Sequence, residues 1–202
     1  MSAGPVFKKV YPETSIRFNC IRCDVCCGTG PNVSLTIFDV IRMASFVNIH
    51  WRQFLEIYVD VIIADVFPFM KLSGIGKGRC PFLRFDTEDK TYCTIYKARP
   101  MKCRLYPYIV MSPSSQTLYV DEKCPGIGKG SKVKVNIEFL RRYQSELKEH
   151  YNRLNGLIME EGYEPLEALY QALDEAYNEA KNGAEWFDLE SLSNTKPLIE
   201  LD

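Results

Sequence analysis

The chain has 202 residues, of which 46% are hydrophobic and 25% charged, and this composition is typical of a globular domain with its own core. The longest uncharged run, residues 105–120, is too short and too rich in Pro and Ser to span a bilayer. The first residues contain no apolar signal-peptide region, so we expect a cytoplasmic protein with reduced cysteines.

The formal net charge of −1 is unevenly distributed. Residues 1–158 carry 23 Lys and Arg against 14 Asp and Glu, a net charge of +9, whereas residues 159–202 carry 2 against 12, a net charge of −10. The acidic segment is either a solvated helix and tail or a segment that meets the basic body or a basic partner. We favour the solvated helix and tail.

A cysteine-rich segment, CIRCDVCC, follows residues 1–19, which are predicted to be extended. Its thiols belong to Cys20, Cys23, Cys26 and Cys27. Two-residue gaps let successive thiols turn toward one soft metal centre. Adjacent side chains diverge, so we expect Cys27 to serve a different centre from Cys26. The later cysteines, Cys80, Cys93, Cys103 and Cys124, bring distant segments back to one sulfur-rich site or to two.

Two helices come next and predict an αα-hairpin packed against the cysteine loop. Thr36 is expected to cap the first helix, with Asp39 completing a capping box, and the helix should stop near Val47. The second helix should begin near His50. Its predicted inward-facing residues are Trp51, Phe54, Leu55, Tyr58, Val59 and Ile62.

Short β-hairpins are predicted in the middle of the chain. One joins residues 82–85 to residues 92–96 through a polar turn. A weaker one joins residues 105–111 to residues 117–121. Between them the chain is compact, and Pro100 limits any helix there.

Apolar periodicity predicts helices over residues 136–157 and 165–181, separated by Gly162 and Pro165. The polar tail from Asn182 is expected to be loose apart from its apolar residues. Those residues are Trp186, Phe187, Leu189, Leu192 and Leu198.

The pentapeptide GIGKG occurs at residues 74–78 and again at 126–130. It lacks the spacing of a Walker motif. The two copies are either tight turns that need glycine dihedrals, or backbone N–H nests with a lysine each, aimed at cluster sulfurs or an anion. Under the second interpretation the cofactor-binding candidates are Gly74, Gly76, Lys77, Gly126, Gly128 and Lys129.

The cysteine content favours metal over the alternatives. Disulfides are unlikely in the cytosol, core cysteines are not so dense, and a redox CxxC would not require eight cysteines. Zinc accepts four thiolates, so eight cysteines could hold two ions. However, C-x2-C-x2-C is also the spacing in bacterial ferredoxins, whose remote Cys-Pro ligand has counterparts at Cys80 and Cys124. We favour an iron–sulfur cluster of the 4Fe–4S type and keep zinc as the alternative; His50 and His150 are predicted to be solvated or capping rather than ligands.

The motifs FNCIRCDVCC, CPFL, CTIYKARPMKCRLYP and CPGIGKG resemble the YkgJ-type cysteine-cluster family of CxxCxxCC zinc- or iron-chelating proteins, over about residues 18–130. The resemblance implies that all eight cysteines are metal ligands. The family includes the flagellin lysine N-methylases, which implies a possible S-adenosylmethionine-dependent activity, although those enzymes are considerably longer. In this frame Arg99 and Arg104, with Tyr96 and Tyr106, would donate to the thiolates; alternatively the arginines pin the turn by backbone hydrogen bonds.

We therefore expect an α+β fold, mostly α, with a cysteine-rich core, short β-hairpins, an αα-hairpin and C-terminal helices. The predicted divisions are a metal-binding domain at 1–132, helices at 133–184 and an acidic tail at 185–202. No catalytic constellation is apparent apart from the metal site. The favoured function is a redox- or oxygen-responsive accessory partner of a larger enzyme, binding protein rather than nucleic acid. The alternatives are a protein lysine N-methylase-like enzyme that uses S-adenosylmethionine, and a zinc-stabilised interaction module.

Overall fold

A computed structural model describes residues 7–28, 33–76 and 78–201. In chain order the helices are α1 (Val25–Gly28), α2 (Ile37–Phe46), α3 (Trp51–Tyr58), α4 (Met101–Leu105), α5 (Ile137–Asn155), α6 (Pro165–Lys181) and α7 (Leu189–Asn194). The strands are β1 (Phe7–Val10), β2 (Ile16–Phe18), β3 (Ser34–Leu35), β4 (Val59–Ala64), β5 (Phe67–Leu72), β6 (Leu83–Phe85), β7 (Thr91–Cys93), β8 (Tyr108–Ile109), β9 (Leu118–Asp121), β10 (Ile127–Val135) and β11 (Leu198–Leu201). The fold is α+β, as predicted.

The strands form several small sheets. Three sheets have the orders β1-β9-β8, β11-β10-β2 and β3-β5-β4, and β6 pairs with β7 alone. All the pairings are antiparallel. Both predicted hairpins are present, as β6–β7 and β8–β9. The second GIGKG copy lies at the start of β10, whose register with β2 shifts between Ile127 and Lys132.

The predicted αα-hairpin is present but its second helix is shorter than expected. Thr36 and Asp39 form the predicted capping box of α2. The prediction that Val59 and Ile62 continue the second helix is wrong, because α3 ends at Tyr58 and the chain enters β4. The run of β-branched residues suits a strand, and pairing with β5 leaves Ile62 49% exposed.

The C-terminal part is more ordered than the sequence suggests. The break between α5 and α6 is confirmed, and α5 continues into a π-helical turn at Gly156–Glu160. The tail is not loose: it forms a 3-10 turn at Glu185–Phe187, then α7 and β11. Leu192 is fully buried, and β11 pairs with β10 along four residues. None of the helices in the described residues is long and apolar enough to cross a membrane.

Two clusters of buried apolar side chains form the core, and three of the cysteines pack against the first of them. The first cluster contains residues of α2, α3, β5 and α6, and Cys80, Cys93 and Cys103 pack against it. The second contains residues of β1, β8, β9 and α5, together with Leu192. Helix α4 connects the two clusters, because Met101 and Leu105 belong to the second while Cys103 faces the first.

Candidate metal centre

The cysteine-rich segment lies at the surface and ends in the one-turn helix α1. Cys20 and Cys26 are exposed, while Cys23 and Cys27 are partly exposed. The sulfur atoms of Cys26 and Cys27 are 3.5 Å apart. The expectation that these adjacent side chains diverge is therefore wrong, because the turn of α1 brings their thiols into contact.

Thr91, at the start of β7, fixes the cysteine loop in place. Its backbone N–H donates to the carbonyl oxygen of Arg22 at 2.9 Å, and its hydroxyl lies 2.9 and 2.8 Å from the carbonyl oxygens of Arg22 and Cys23. Arg22, at a positive φ of 56°, returns a hydrogen bond from Nε to the Thr91 carbonyl at 2.8 Å and an ion pair to Asp86 at 2.6 Å. Thr91 lies 69 positions from Arg22 in the chain, so no local sequence pattern predicts this contact.

A second anchor joins the loop to Cys80. The backbone N–H of Cys80 donates to the carbonyl oxygen of Cys27 at 2.7 Å. Cys93 sits at the end of β7, paired with Leu83, whose own N–H donates to the Cys80 carbonyl at 3.1 Å. Thr91 and Cys80 thus hold the cysteine loop against the hairpin that carries Cys93.

Four thiols from separate elements influence one another electrostatically. Burial, followed by the neighbouring Cys80 and Cys93, raises the pKa of the Cys103 thiol well above its usual range. The hydrogen bond with Cys26, then burial, then Cys26, Cys103 and Cys80, raises the pKa of Cys27. Burial also raises the pKa of Cys80 and of Cys93. Cys26 also raises the pKa of Cys80 and of Cys103, so these pKa relationships do not separate it from this set. Cys27, Cys80, Cys93 and Cys103 are called here the Cys103 group.

Cys124 is influenced by two thiols of the cysteine loop. It is 8% exposed, and burial raises the pKa of its thiol, with Cys23 and Cys26 adding to the rise. A backbone hydrogen bond from Gly126 and then the Tyr106 hydroxyl oppose that rise, and the hydroxyl donates its own hydrogen bond to Asp121 Oδ2 at 3.1 Å. Cys23, Cys26 and Cys124 are called here the Cys124 group.

The thiol of Cys26 differs from the others. The hydrogen bond from Cys27 lowers the pKa of Cys26 to about 7, against the effect of burial, and Arg99 contributes to the lowering. A thiol with this pKa is about half thiolate at neutral pH, and the thiolate is the form that binds metal.

Arg99 carries a buried donor that lacks an acceptor. Its Nε has no hydrogen-bond partner among the described residues, while its guanidinium stacks 4.0 Å above the ring centre of Tyr96. The guanidinium lowers the pKa values of Cys26, Cys93 and Cys103, so it lies close enough to these thiols to favour their anionic forms. An unpaired buried N–H beside thiols is costly unless an anion accepts it.

Arg104 makes the contacts of the alternative interpretation. Its guanidinium donates to the carbonyl oxygens of Arg99 at 3.1 Å, of Leu192 at 3.4 Å and of Lys97. Burial, then the charge of Arg99, lowers its pKa to about 10. In these contacts Arg104 pins the turn and the C-terminal segment by backbone hydrogen bonds.

The GIGKG copies are places of close backbone approach. A Cβ at Gly126 would lie 2.5 Å from the carbonyl oxygen of Asn19, and a Cβ at Gly74 would lie 2.6 Å from the Cα of Gly78. Gly76 and Gly128 have positive φ angles of 59° and 82°. Lys77 lies outside the described residues, and Lys129 is exposed. Close packing accounts for glycine at 74 and 126, and a cofactor role for either copy stays a prediction.

Neither histidine contributes to the pKa shifts of the cysteines described above. His50 caps α3, accepting a hydrogen bond from the Arg52 N–H at 3.2 Å, as predicted. His150 is only 4% exposed, so the expectation of a solvated or capping residue is wrong for it. Its burial lowers its pKa to about 4.

The donor chemistry fits a soft metal, although the thiols are not drawn together as a finished site. Within the described ranges, no three His, Cys, Asp or Glu side chains are placed as a group that could hold a metal ion. Eight thiols, one of them acidified, nevertheless suit a thiolate-bound metal centre, and the unpaired buried Arg99 N–H could donate to such an anionic group.

Comparison with known proteins identifies relatives over the cysteine region. A family model described as "CxxCxxCC: Putative zinc- or iron-chelating domain" matches residues 19–125. An uncharacterized protein of Methanocaldococcus jannaschii is 36% identical over 95 residues, covering 47% of this chain and 47% of that protein. The chain thus matches about half the length of this curated relative. No solved structure matches the chain significantly.

Proposed function

The chain belongs to the CxxCxxCC family, as its motifs predicted, and on that premise we propose that it is an iron–sulfur protein that binds its clusters through cysteine thiolates. The family match supports binding of zinc or iron by the cysteine region. Iron–sulfur chemistry, the grouping of the ligands and the cellular role go beyond that match.

The observation that carries the proposal is the neighbourhood of Arg99. Three thiols, those of Cys26, Cys93 and Cys103, feel its charge, and its Nε is a buried donor with no acceptor in the described residues. A cysteine-ligated cluster carries negative charge and sulfur acceptors. Arg99 would donate to such a group and offset its charge.

The ligands divide into two sets under this proposal. The Cys103 group supplies four thiolates from α1, the segment before β6, β7 and α4. The Cys124 group supplies three more, and Cys20 completes the second set, which has the ferredoxin-like spacing with Cys124-Pro125 as the remote ligand. Since Cys26 and Cys27 touch, the two centres would be close neighbours.

An iron–sulfur cluster supplies one-electron transfer when it is bound. Residues of this chain would tune it: the Tyr106 hydroxyl influences Cys124, and the apolar cluster packed against Cys103 limits the access of water to that thiol. Zinc with the same ligands would instead serve as a structural ion.

Metal and sulfide analysis of protein purified without oxygen tests the proposal. The protein should be brown, should contain iron and acid-labile sulfide, and should lose its visible absorption in air. Cys23→Ser should remove the signal of one centre and Cys27→Ser that of the other, whereas Met159→Ser, at an exposed position, should remove neither. Colourless protein with zinc and no sulfide would refute the iron–sulfur claim. Loss of the same single signal in both cysteine variants would refute the two-centre claim.

The role as an oxygen- or redox-responsive accessory protein rests on the surface position of the site. Cys20 and Cys26 are exposed, and so are the apolar side chains of Ile21, beside Cys20 in the chain, and of Tyr96, three positions after Cys93. A partner enzyme could therefore approach the centre directly. Anaerobic affinity purification should retain a partner that is released when air destroys the cluster; equal retention in both conditions would argue against a responsive role.

A further inference from the structure

A group of charged side chains lies buried between α2 and α5. Asp39 and Arg42 are each 1% exposed and Glu146 is 6% exposed. The Arg42 guanidinium donates to both carboxylate oxygens of Glu146, at 2.9 and 2.6 Å, and to Asp39 Oδ1 at 3.0 Å. Buried charges are costly unless they are paired and hydrogen-bonded, and here the pairing is complete on the Arg42–Glu146 side.

Asp39 also reaches the segment that carries a cysteine. Its Oδ2 accepts from the N–H and the hydroxyl of Thr36, each at 3.1 Å, and its Oδ1 accepts from the backbone N–H of Met101 at 3.1 Å. Met101 is the first residue of α4, and Pro100 before it offers no side-chain cap. Asp39 therefore supplies the hydrogen-bond acceptor for the first amide of α4, which has no side-chain cap from its own segment.

Helix α4 depends on such outside contacts for its position. With five residues it is far too short to be stable alone. Met101 and Leu105 anchor it in the second apolar cluster, and Asp39 fixes its first backbone amide. Cys103 lies between these anchors and faces the other cluster, so the direction of its thiol follows the orientation of α4.

The same group reaches the C-terminal segment. Arg42 and Arg142 both donate to the carbonyl oxygen of Trp186, at 3.1 and 3.2 Å. Arg142 also lies 3.5 Å from Glu146. The chain after α6 is thus connected through Arg42 to Asp39, the carboxylate that accepts a hydrogen bond from the first amide of α4.

We propose that Asp39 is a positioning residue for the metal centre: it holds α4 so that Cys103 points at the other thiols of the Cys103 group, and Arg42 holds Asp39 in place. The inference rests on the proposed metal binding. It goes beyond the assignment of the metal ligands, because a substitution of Asp39, which is not a ligand, should change metal affinity at one centre and not at the other. The Cys124 group has no ligand on α4 and should be indifferent to Asp39.

The test is Asp39→Asn in otherwise intact protein, reconstituted with Co²⁺ as a spectroscopic probe and followed by chelator competition. Asparagine has nearly the same size as aspartate but carries no charge. It offers one acceptor oxygen to the four groups that donate to Asp39, which are the Thr36 N–H, the Thr36 hydroxyl, Arg42 and the Met101 N–H. Affinity of the Cys103 centre should fall about 10–100-fold while the Cys124 centre is unchanged. Amide exchange at Met101 should accelerate. Asp174→Asn, at the exposed Arg52 ion pair, is the matched control and should change neither centre.

Thr36→Ala is the second variant in case Asp39→Asn does not fold. It removes one partner of the same carboxylate, and a lost cap of this kind costs only about 1 kcal/mol. It should weaken the Cys103 centre in preference to the other. Equal affinities for both centres in the foldable variant would overturn the positioning role. Wild-type protein that binds no metal would instead overturn the proposed function itself.

Discussion

The backbone amide of Cys80 donates a hydrogen bond of 2.7 Å to the carbonyl oxygen of Cys27. Two cysteines 53 positions apart are thereby joined through their main chains, independently of what their sulfur atoms bind. The contact fixes the spacing of the loop and the hairpin, and it is a direct reporter of whether the site is assembled.

Metal removal should loosen the site locally, because bonds between the metal and the thiolates would otherwise hold its segments together. Structural metal sites contribute about 10–16 kcal/mol in small domains, so chelation should release α1 and the β6–β7 hairpin, whereas Met101 and Leu105 should keep α4 in the apolar cluster. Helices α2, α3 and α6 share an apolar cluster and should persist. Hydrogen exchange should accelerate at Cys80 and Thr91 but not in α2. Unchanged exchange at Cys80 after chelation would show that the site holds without metal.

Alkylation of the reduced, metal-free protein should single out Cys26. Its pKa of about 7 predicts a rate that rises with pH and is half-maximal near neutrality, because only the thiolate reacts. Cys27→Ala removes the hydrogen bond that lowers this pKa and should move the profile toward the ordinary value of 9.0. Mass spectrometry of each cysteine peptide measures the rates. An unchanged pH profile of Cys26 alkylation in the variant would show that the hydrogen bond from Cys27 does not lower this pKa.

His150 should make the protein sensitive to acid. Burial lowers its pKa to about 4 from the ordinary 6.5, with Asp39 opposing the shift. Between these pH values His150 binds a proton in the unfolded chain but not in the folded chain. The contribution of His150 to stability is therefore fully present above pH 6.5 and is lost as the pH falls toward 4. The loss is on the order of 3 kcal/mol.

The check is denaturant unfolding between pH 7 and 4 of the wild type and His150→Phe. The variant should lose less stability over this range, while Met159→Phe, at an exposed position without a titratable group, should keep the wild-type slope. Parallel curves for wild type and His150→Phe would remove His150 as the cause.

Deletion of residues 185–202 should destabilise the body of the protein. It removes buried Leu192, strand β11 and the Trp186 carbonyl that accepts from Arg42. The loss of Leu192 burial alone is worth about 1.5–3 kcal/mol. Thermal unfolding should shift down, whereas Ile199→Ser on the exposed side of β11 should have little effect. A truncated protein with full metal and unchanged melting would make this segment a docking tail instead.

Two glycine substitutions should have opposite signs. Gly126→Ala places a Cβ 2.5 Å from the Asn19 carbonyl, which forces β2 and β10 apart and should cost about 1–3 kcal/mol. Gly156→Ala meets no atom within 4 Å and lies at a helical φ, so it should stabilise by about 0.5–1 kcal/mol. Urea unfolding of both variants measures the difference. A neutral Gly126→Ala would mean that β2 can move freely away from this position.

The features that could be predicted from sequence are local. The capping box of α2 depends on residues three positions apart, and the β6–β7 hairpin on a short polar turn. The family followed from cysteine spacing. Strand β4 was missed because Val59 and Ile62 fit a helical pattern until pairing with β5 decides between helix and strand.

The missing parts of the candidate site are long-range contacts. Asp39 was recognised as a cap, but its hydrogen bond to Met101 joins residues 62 positions apart. Arg42, three positions after Asp39 on a largely apolar helix, was the available sign of a buried ion pair. The ligand grouping, the domain division and the cofactor role of the GIGKG copies stay predictions.

The anchoring of the loop through Arg22 and Thr91 also has a kinetic consequence. The partners are 69 positions apart, and Arg17 and Gly130 are 113 apart, so the loop closes only after long stretches of chain have been brought together. Contacts of this range form slowly, whereas helical contacts within α5 or α6 form early. A newly folding chain should pass through a stage with its helices formed and its thiols open to solvent. Metal present at that stage should accelerate the last refolding phase and leave the earlier ones unchanged.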